Sequence, residues 1–403
     1  MILELVLALL LGIVVGIIAG LLPGVHANLI SVFLVSTSVL LIPYFPPIVL
    51  AVFIVAMATC QSFLDFIPSI LLGAPDEDSC LSVLPGHQML LEGRGYEAIT
   101  CTSYGCLIAI PLLLLLIPLF LLFLKQIFSY LNFIMFIILI TASSYLIIKE
   151  RKSKLMALLI FTLSGILGIV TLNLHLNNSL LPMLSGLFGS SSLITSIMKK
   201  QKIPEQKISE KKEIKITKQE FSKVALSSLI STPLCSFLPA LGSSQAAIIG
   251  SDMIEETKPR EFLMLLGSVN IIVLALSFVT LFSINKSRTG SAAAISEILK
   301  TFNASSLIII LITILISSLI SFFLTIYLAR FFSEKIRKIN YSKLSIIILI
   351  FLSLVVLFFS GFLGFLIYIV STFTGLTAIY AEVRRTHLMG SMMLTAILFY
   401  LPI

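Results

Sequence analysis

Long apolar runs, broken by short polar or helix-breaking stretches, dominate the chain. The runs Ala98 to Leu124, Leu131 to Ile148 and Leu307 to Leu328 approach or exceed the roughly 20 apolar residues that carry a helix across a bilayer. Similar runs recur along the whole length, and they predict an all-α polytopic membrane protein. The segment MILELVLALLLGIVVGIIAGLLPG has no basic leader and no small-x-small cleavage site, so it reads as a retained first helix.

The interruptions are as informative as the runs. Pro23-Gly24 is followed by Val25-His26-Ala27-Asn28. Leu71 and Leu72 give way to Gly73-Ala74-Pro75 and three consecutive acids, Asp76, Glu77 and Asp78. In the second half, Phe237-Leu238-Pro239-Ala240-Leu241-Gly242-Ser243-Ser244 resembles the first break, and Gly290-Ser291-Ala292-Ala293 stands where the second should fall. Pro23 to Pro239 and Gly73 to Gly290 are nearly the same distance apart. The pattern predicts two repeats, each with two broken or re-entrant helices.

Charge orients the runs. The chain has 403 residues, 58% of them hydrophobic and only 11% charged, against roughly 25% charged in soluble domains. Its net charge of +8 lies in clusters between apolar segments, which reports membrane orientation rather than nucleic-acid binding. The Lys-rich stretch Lys199 to Glu220, Lys149 to Lys154 and Arg330 to Lys343 are therefore expected on the cytoplasmic side of the cell membrane. Residues 1–198 form a first transmembrane repeat, 199–220 a cytoplasmic linker and 221–403 a second repeat. With a turn expected at Lys125, corresponding helices of the two halves run in opposite directions, an inverted-topology repeat whose breaks meet near the bilayer midplane.

Irregular backbone cannot face lipid, because each N–H and C=O there needs an internal partner. Broken helices at matched places in inverted repeats mark a transporter's binding site, and half-helix N-termini suit anions. The candidate substrate ligands are Pro23, Gly24, His26, Asn28, Gly73, Pro75, Ser243, Ser244, Gly290 and Ser291. Lys286 and Arg288 are placed to neutralise an anion, and Asp76 or Asp78 to engage a coupling cation, Na+ or H+. Each has a plainer alternative: an interfacial turn, a solvated loop, or a polar pair buried in the bundle. Cys60, Cys80, Cys101, Cys106 and Cys235 show no metal or disulfide spacing and read as buried small side chains.

The segments GLLPGVHANLI, PSILLGAPDEDS and LPGHQMLLEGRGYEAI, with the ending VRRTHLMGSMMLTAILFY, resemble the large membrane subunit of the tripartite tricarboxylate transporters, the TctA-like permeases, in their shorter archaeal-type branch. Pro23-Gly24 matches the family's first turn. Gly73-Ala74-Pro75 matches a Gly-Thr-Pro turn, and Pro85-Gly86-His87-Gln88-Met89 a following conserved-type segment. The resemblance implies a secondary-active permease for carboxylates. It also implies work beside a small membrane subunit and an extracytoplasmic solute-binding protein, driven by an ion gradient. The chain departs from the pattern in its acids at 76–78 and in Pro239-Ala240 where Pro-Gly is usual. Two other classes compete: an intramembrane lipid-modifying enzyme using Asp76-Glu77-Asp78, and a passive anion channel. The sequence holds no HExxH, no serine-nucleophile motif and no GxxxxGK[ST] loop, so no enzymatic activity is expected.

Overall fold

The computed structural model describes the chain apart from residues 23–26, 28–29, 32–33, 36–37, 39–40, 73–82, 151, 175–178, 199–203, 207–215, 238–242, 253–256, 337–340 and 402–403. It likewise leaves undescribed the side chains of 83–84, 127–134, 196, 234–237, 244–245, 252, 336, 341 and 344. The described residues are helical, with no strand among them. Seven of the described helices are long and apolar enough to cross a membrane. The protein is an all-α polytopic membrane protein.

In the first half, α1 (Ile2–Leu21) and α2 (Pro47–Leu64) come first. The turn residue Asp65 carries α2 into α3 (Phe66–Leu72), followed by α4 (Val83–Leu91) and α5 (Gly95–Ile148). Next come α6 (Lys154–Asn173) and α7 (Leu180–Leu184), which continues through a π-helical turn (Ser185–Ser190) into α8 (Ser191–Met198). The second half contains α9 (Lys218–Phe237), α10 (Ser243–Asp252), α11 (Pro259–Ile284), α12 (Gly290–Leu299), α13 (Ala304–Ile336) and α14 (Tyr341–Tyr380). A 3-10 turn (Arg385–Met389) leads into α15 (Gly390–Tyr400). One apolar core extends from Ile13 to Ile397 and draws on both halves.

Lipid is as apolar as leucine, so helices in a bilayer associate through close packing and polar contacts rather than burial from water. Those contacts set the direction of each helix. A Cβ at Gly12, Gly16 or Gly20 would touch the Cβ of Ala56, Cys60 or Leu64 respectively, so α1 and α2 run parallel. Glu220 pairs with Arg260 at 3.8 Å, Lys223 with Glu261 at 3.7 Å, and Ser228 donates to Ser268 at 3.0 Å; α9 and α11 are parallel too. Arg260 also pairs with Glu97 at 3.3 Å, and Gly105 lies against Met264, which aligns α5 with α11. By contrast, Tyr104 packs on Phe322 at 5.3 Å while Tyr96 feels Arg330, so α5 and α13 are antiparallel. Ile309 packs beside Val49 and Val52, and Cys60 lies against Ser321; α13 follows the direction of α2.

The linker docks on the bundle at one described point. Gln206 is buried; its Oε1 accepts the N–H of Gly95 at 2.8 Å, and its Nε2 donates to the carbonyl of Leu90 at 3.1 Å. One side chain thus caps the start of α5 and closes the end of α4. The face carrying Gln206 is called the linker face below.

Two long helices double back or bend. In α14, Gly361 has φ 66 and ψ −169, a conformation a side chain would strain. Ser353 Oγ then reaches Tyr368 Oη at 3.5 Å, although a straight helix would hold two residues so far apart in sequence about 22 Å apart. The chain reverses at Gly361. Helix α5 is assigned without a break across Lys125, and a straight helix of its length would span about 80 Å. Its start bonds Gln206, however, and Glu150 just past its end bonds Arg384 and His387. Tyr380 nearby reaches Met198, where the linker begins. Those short connections keep the two ends of α5 much closer than a straight helix allows. Helix α5 is therefore not straight over its length; it carries Pro111 and Pro118, and it continues through Lys125, where the sequence predicts a turn.

Glu150 and His387 form a buried pair, Nε2 to Oε2 at 3.0 Å, and Glu150 also accepts the N–H groups of Arg384 and Lys152. Burial holds the His387 imidazole below its ordinary value near 6.5, with Glu150 pulling the other way. The unfolded chain therefore binds more protons at this site than the folded one. Stability is complete above about pH 6.5 and is lost as pH falls through the window below it. Thermal unfolding in detergent is expected to shift down by a few degrees between about pH 7.5 and about pH 5.5. His387→Asn should flatten that dependence; an unchanged slope would show that another group causes it.

Candidate substrate and ion site

The first interruption meets the structure at Ala27. Pro23, Gly24, His26 and Asn28 lie outside the described residues, but the buried Ala27 donates its N–H to Gln61 Oε1 on α2 at 2.5 Å. A glutamine buried in an apolar helix costs free energy unless its amide is bonded. Here its amide oxygen is bonded by the backbone N–H of Ala27. The second interruption, with Gly73, Pro75, Asp76 and Asp78, lies wholly outside the described residues.

In the second half, Ser243 opens α10 and is fully buried, while the side chain of Ser244 is not described. The fourth interruption is described throughout. Helix α11 ends at Asn285 in the left-handed conformation, φ 53 and ψ 32, a geometry that asparagine tolerates better than most residues. Lys286 is exposed and Arg288 half-buried. Thr289 then caps α12, accepting the N–H of Ala292 at 3.2 Å, and its hydroxyl meets Ser277 Oγ at 3.1 Å. Gly290 is half-buried and Ser291 buried. Because Ser277 lies two turns inside the end of α11, the N-terminus of α12 returns about 10 Å along the helix it has just left.

Helices α2 and α11 touch directly. Asn270 is buried and donates from Nδ2 to the carbonyl of Ser62 at 3.4 Å. The residues that grip the first and fourth interruptions, Gln61 and Ser277, thus stand on two neighbouring helices, with about 10 Å of helix between their levels. Asp65 lies one turn beyond Gln61, only 4% exposed, with Cys106 of α5 facing it.

Gln61, Asp65 and Asn270 were not among the residues expected from sequence. The signal was present: an amide, a carboxylate and a second amide sit inside two stretches of 26 residues that otherwise read as membrane spans. Ionisable and strongly polar groups at such depth are functional candidates by default. No Gly or Pro stands beside Gln61, Asp65 or Asn270 to mark their places in the sequence.

Seven membrane-length helices among the described residues, with buried polar side chains joining one helix to another, define a multi-pass membrane protein. The model of the Tripartite tricarboxylate transporter TctA family matches residues 6–390, and the chain belongs to that family. A curated relative from Methanocaldococcus jannaschii, described as an uncharacterized protein, is 32% identical over 392 residues, covering 94% of each chain. No solved structure matches.

Proposed function

We propose that the protein is a secondary-active permease that carries an organic anion of di- or tricarboxylate type by alternating access, coupled to a Na+ or H+ gradient. The observation that carries this reading is that adjacent helices α2 and α11 hold Ala27, which follows the first expected break, and Thr289, which caps α12 after the fourth. These segments are held on neighbouring helices about 10 Å apart in level. They bring the α12 N-terminus and the residues of the first break to one region of the bilayer, where N–H groups and hydroxyls suit a carboxylate. Lys286 or Arg288 neutralises the substrate, and Asp76 or Asp78 engages the cation. Pro23, Gly24, His26, Asn28, Gly73, Pro75, Ser243, Ser244, Gly290 and Ser291 surround the substrate.

The directions of the helices support an inverted repeat. Element order and length correspond between the halves, α1 with α9, α2–α3 with α11, and α5 with α13. Helices α1, α2 and α13 share one direction, and α5, α9 and α11 the other, so each helix opposes its counterpart. Such a pair of repeats can rock about a fixed site and expose it to either side in turn. In this reading the linker face is the cytoplasmic face of the cell membrane. A small membrane subunit and an extracytoplasmic solute-binding protein complete the system.

Counterflow of labelled citrate or succinate in proteoliposomes tests the activity; no exchange of any carboxylate would end this reading. Arg288→Ala is expected to lower uptake about tenfold, the loss of one charge-assisted hydrogen bond, while the elution profile of the purified protein stays unchanged. Equal uptake by wild type and variant would remove Arg288 from the site.

A further inference from the structure

We propose that Thr59 on α2 and Ser318 on α13 donate their hydroxyls to a carboxylate of the transported anion, which extends the substrate site across the seam between the two repeats. The inference deepens the permease reading above and rests on it.

Helices α2 and α13 pack side by side. Val52 lies beside Ile309, and further along Cys60 faces Ser321. Thr59 stands two turns beyond Val52 on the same face of α2 and adjoins Cys60 in the chain. Ser318 stands one turn before Ser321 on the same side of α13. Both hydroxyls therefore lie within a turn of the Cys60–Ser321 contact. Gln61, which bonds Ala27 after the first interruption, stands at the same level of α2.

Thr59 and Ser318 are both 0% exposed, and neither hydroxyl has a hydrogen-bond partner among the described residues. A serine or threonine inside a helix has a partner within reach, the carbonyl one turn back. Their neighbours use it: Ser62 donates to Ala58 at 3.0 Å, Thr313 to Ile309 at 2.8 Å and Thr325 to Ser321 at 2.7 Å. Thr59 and Ser318 do not, although each sits inside a regular helix. A buried hydroxyl left without a partner costs free energy. Two of them on facing helices mark a place where the partner comes from outside the chain.

The chemistry of the seam suits an anion. A hydroxyl brings a hydrogen-bond donor, whereas a hard cation needs several oxygen ligands with carboxylates among them. Asp65 stands nearly two turns beyond Thr59, about 9 Å along the axis, with Cys106 of α5 facing it. Glu334 is at the far end of α13. Helix α12, which follows the fourth interruption, packs on α2 as well, so the same helix borders both. Since α2 belongs to the first repeat and α13 to the second, rocking of the repeats parts this seam and admits substrate to both hydroxyls.

The test measures counterflow of labelled citrate in proteoliposomes, and thermal unfolding in detergent, for Thr59→Val and Ser318→Ala. Each variant is expected to raise KM about threefold to tenfold, the loss of one hydrogen bond, with the maximal rate retained. Each should also unfold no lower than wild type, because a buried hydroxyl without a partner in the chain has been removed. Thr59→Ser should restore the wild-type KM. An unchanged KM in both variants overturns the proposal, and lower stability beside it would identify the hydroxyls as structural. If Thr59→Val folds poorly, Ser318→Ala decides alone. If wild type shows no counterflow of any carboxylate, the permease reading fails separately, and the melting temperature with citrate decides the site. A rise in wild type that Ser318→Ala removes supports the site, and no rise overturns it. A rise with Na+ alone that the variants abolish marks a cation site and overturns it too.

Discussion

Gly105→Val and Gly267→Val are each expected to abolish the folded protein. A Cβ at Gly105 would lie 1.9 Å from the Met264 carbonyl oxygen, and one at Gly267 would lie 2.1 Å from that of Thr102. Both obstacles are backbone, so no rotamer change relieves them, and α5 and α11 must separate along the whole contact. Overpacking a tight interface costs about 3 kcal/mol or more. Separation also breaks the Glu97–Arg260 pair at one end of the contact. Helix α11 is almost wholly buried at the centre of the bundle, so its displacement reaches α2, α9 and the Asn270 contact together. Fluorescence-detected size exclusion should show aggregate in place of the monodisperse peak. Leu114→Ala, at a side chain 76% exposed on the lipid-facing side of α5, should change little. A monodisperse, stable Gly267→Val would mean that the helices are not in backbone contact.

Arg385→Met is expected to cost about 1–3 kcal/mol, the range for leaving buried acceptors without their charged donor. Arg385 is 5% exposed. Its Nη2 donates to the carbonyls of Leu187 at 3.0 Å and Phe188 at 2.5 Å and to Ser191 Oγ at 2.8 Å, while Nη1 bonds Ser192 Oγ. The π-helical turn at Ser185–Ser190 displaces these carbonyls from ordinary i to i+4 pairing, and the guanidinium joins the hydroxyls of Ser191 and Ser192 as a donor to them. It also lies over the Phe188 ring at 5.4 Å, adding a cation–π contribution. One side chain therefore ties the turn after α14 to the core of α7 and α8. Arg385→Lys should recover only part of the loss, because an ammonium cannot reach four acceptors in a planar fork. Thermal unfolding of the purified variants measures both effects; a Lys variant as stable as wild type would refute the network as the source of stability.

Much of the architecture was legible because a bilayer imposes a simple rule. Apolar length identified the spans, since it acts locally; Gly and Pro were weaker guides, because Pro111, Pro118 and Pro233 lie inside helices and Gly290 opens one. The Lys-rich linker between the halves was equally plain. The fourth interruption, expected at Gly290 to Ala293, falls just before them: α11 ends at Asn285, Thr289 supplies the cap, and Gly290 to Ala293 form the first turn of α12. What stayed hidden lies in contacts between distant segments. Gln206 reaching Gly95, Ser277 reaching Thr289 and Arg385 reaching the π turn carry no local pattern. The reversal at Gly361 was hidden for a related reason: a lone glycine in an apolar run has several uses, and only Ser353 beside Tyr368 reveals this one.

By itself the sequence determined that this chain is a helical membrane protein of the TctA family with interrupted spans, because hydrophobic length and helix breakers act through nearest neighbours. Only the tertiary structure decided which helices pair, which of the touching helices run parallel, and that Gln61, Asp65 and Asn270 stand close to one helix crossing. In lipid, a residue facing a neighbouring helix and one facing hydrocarbon are both apolar. Periodicity is therefore silent on who touches whom, and close approach at glycine and buried polar contact make the choice.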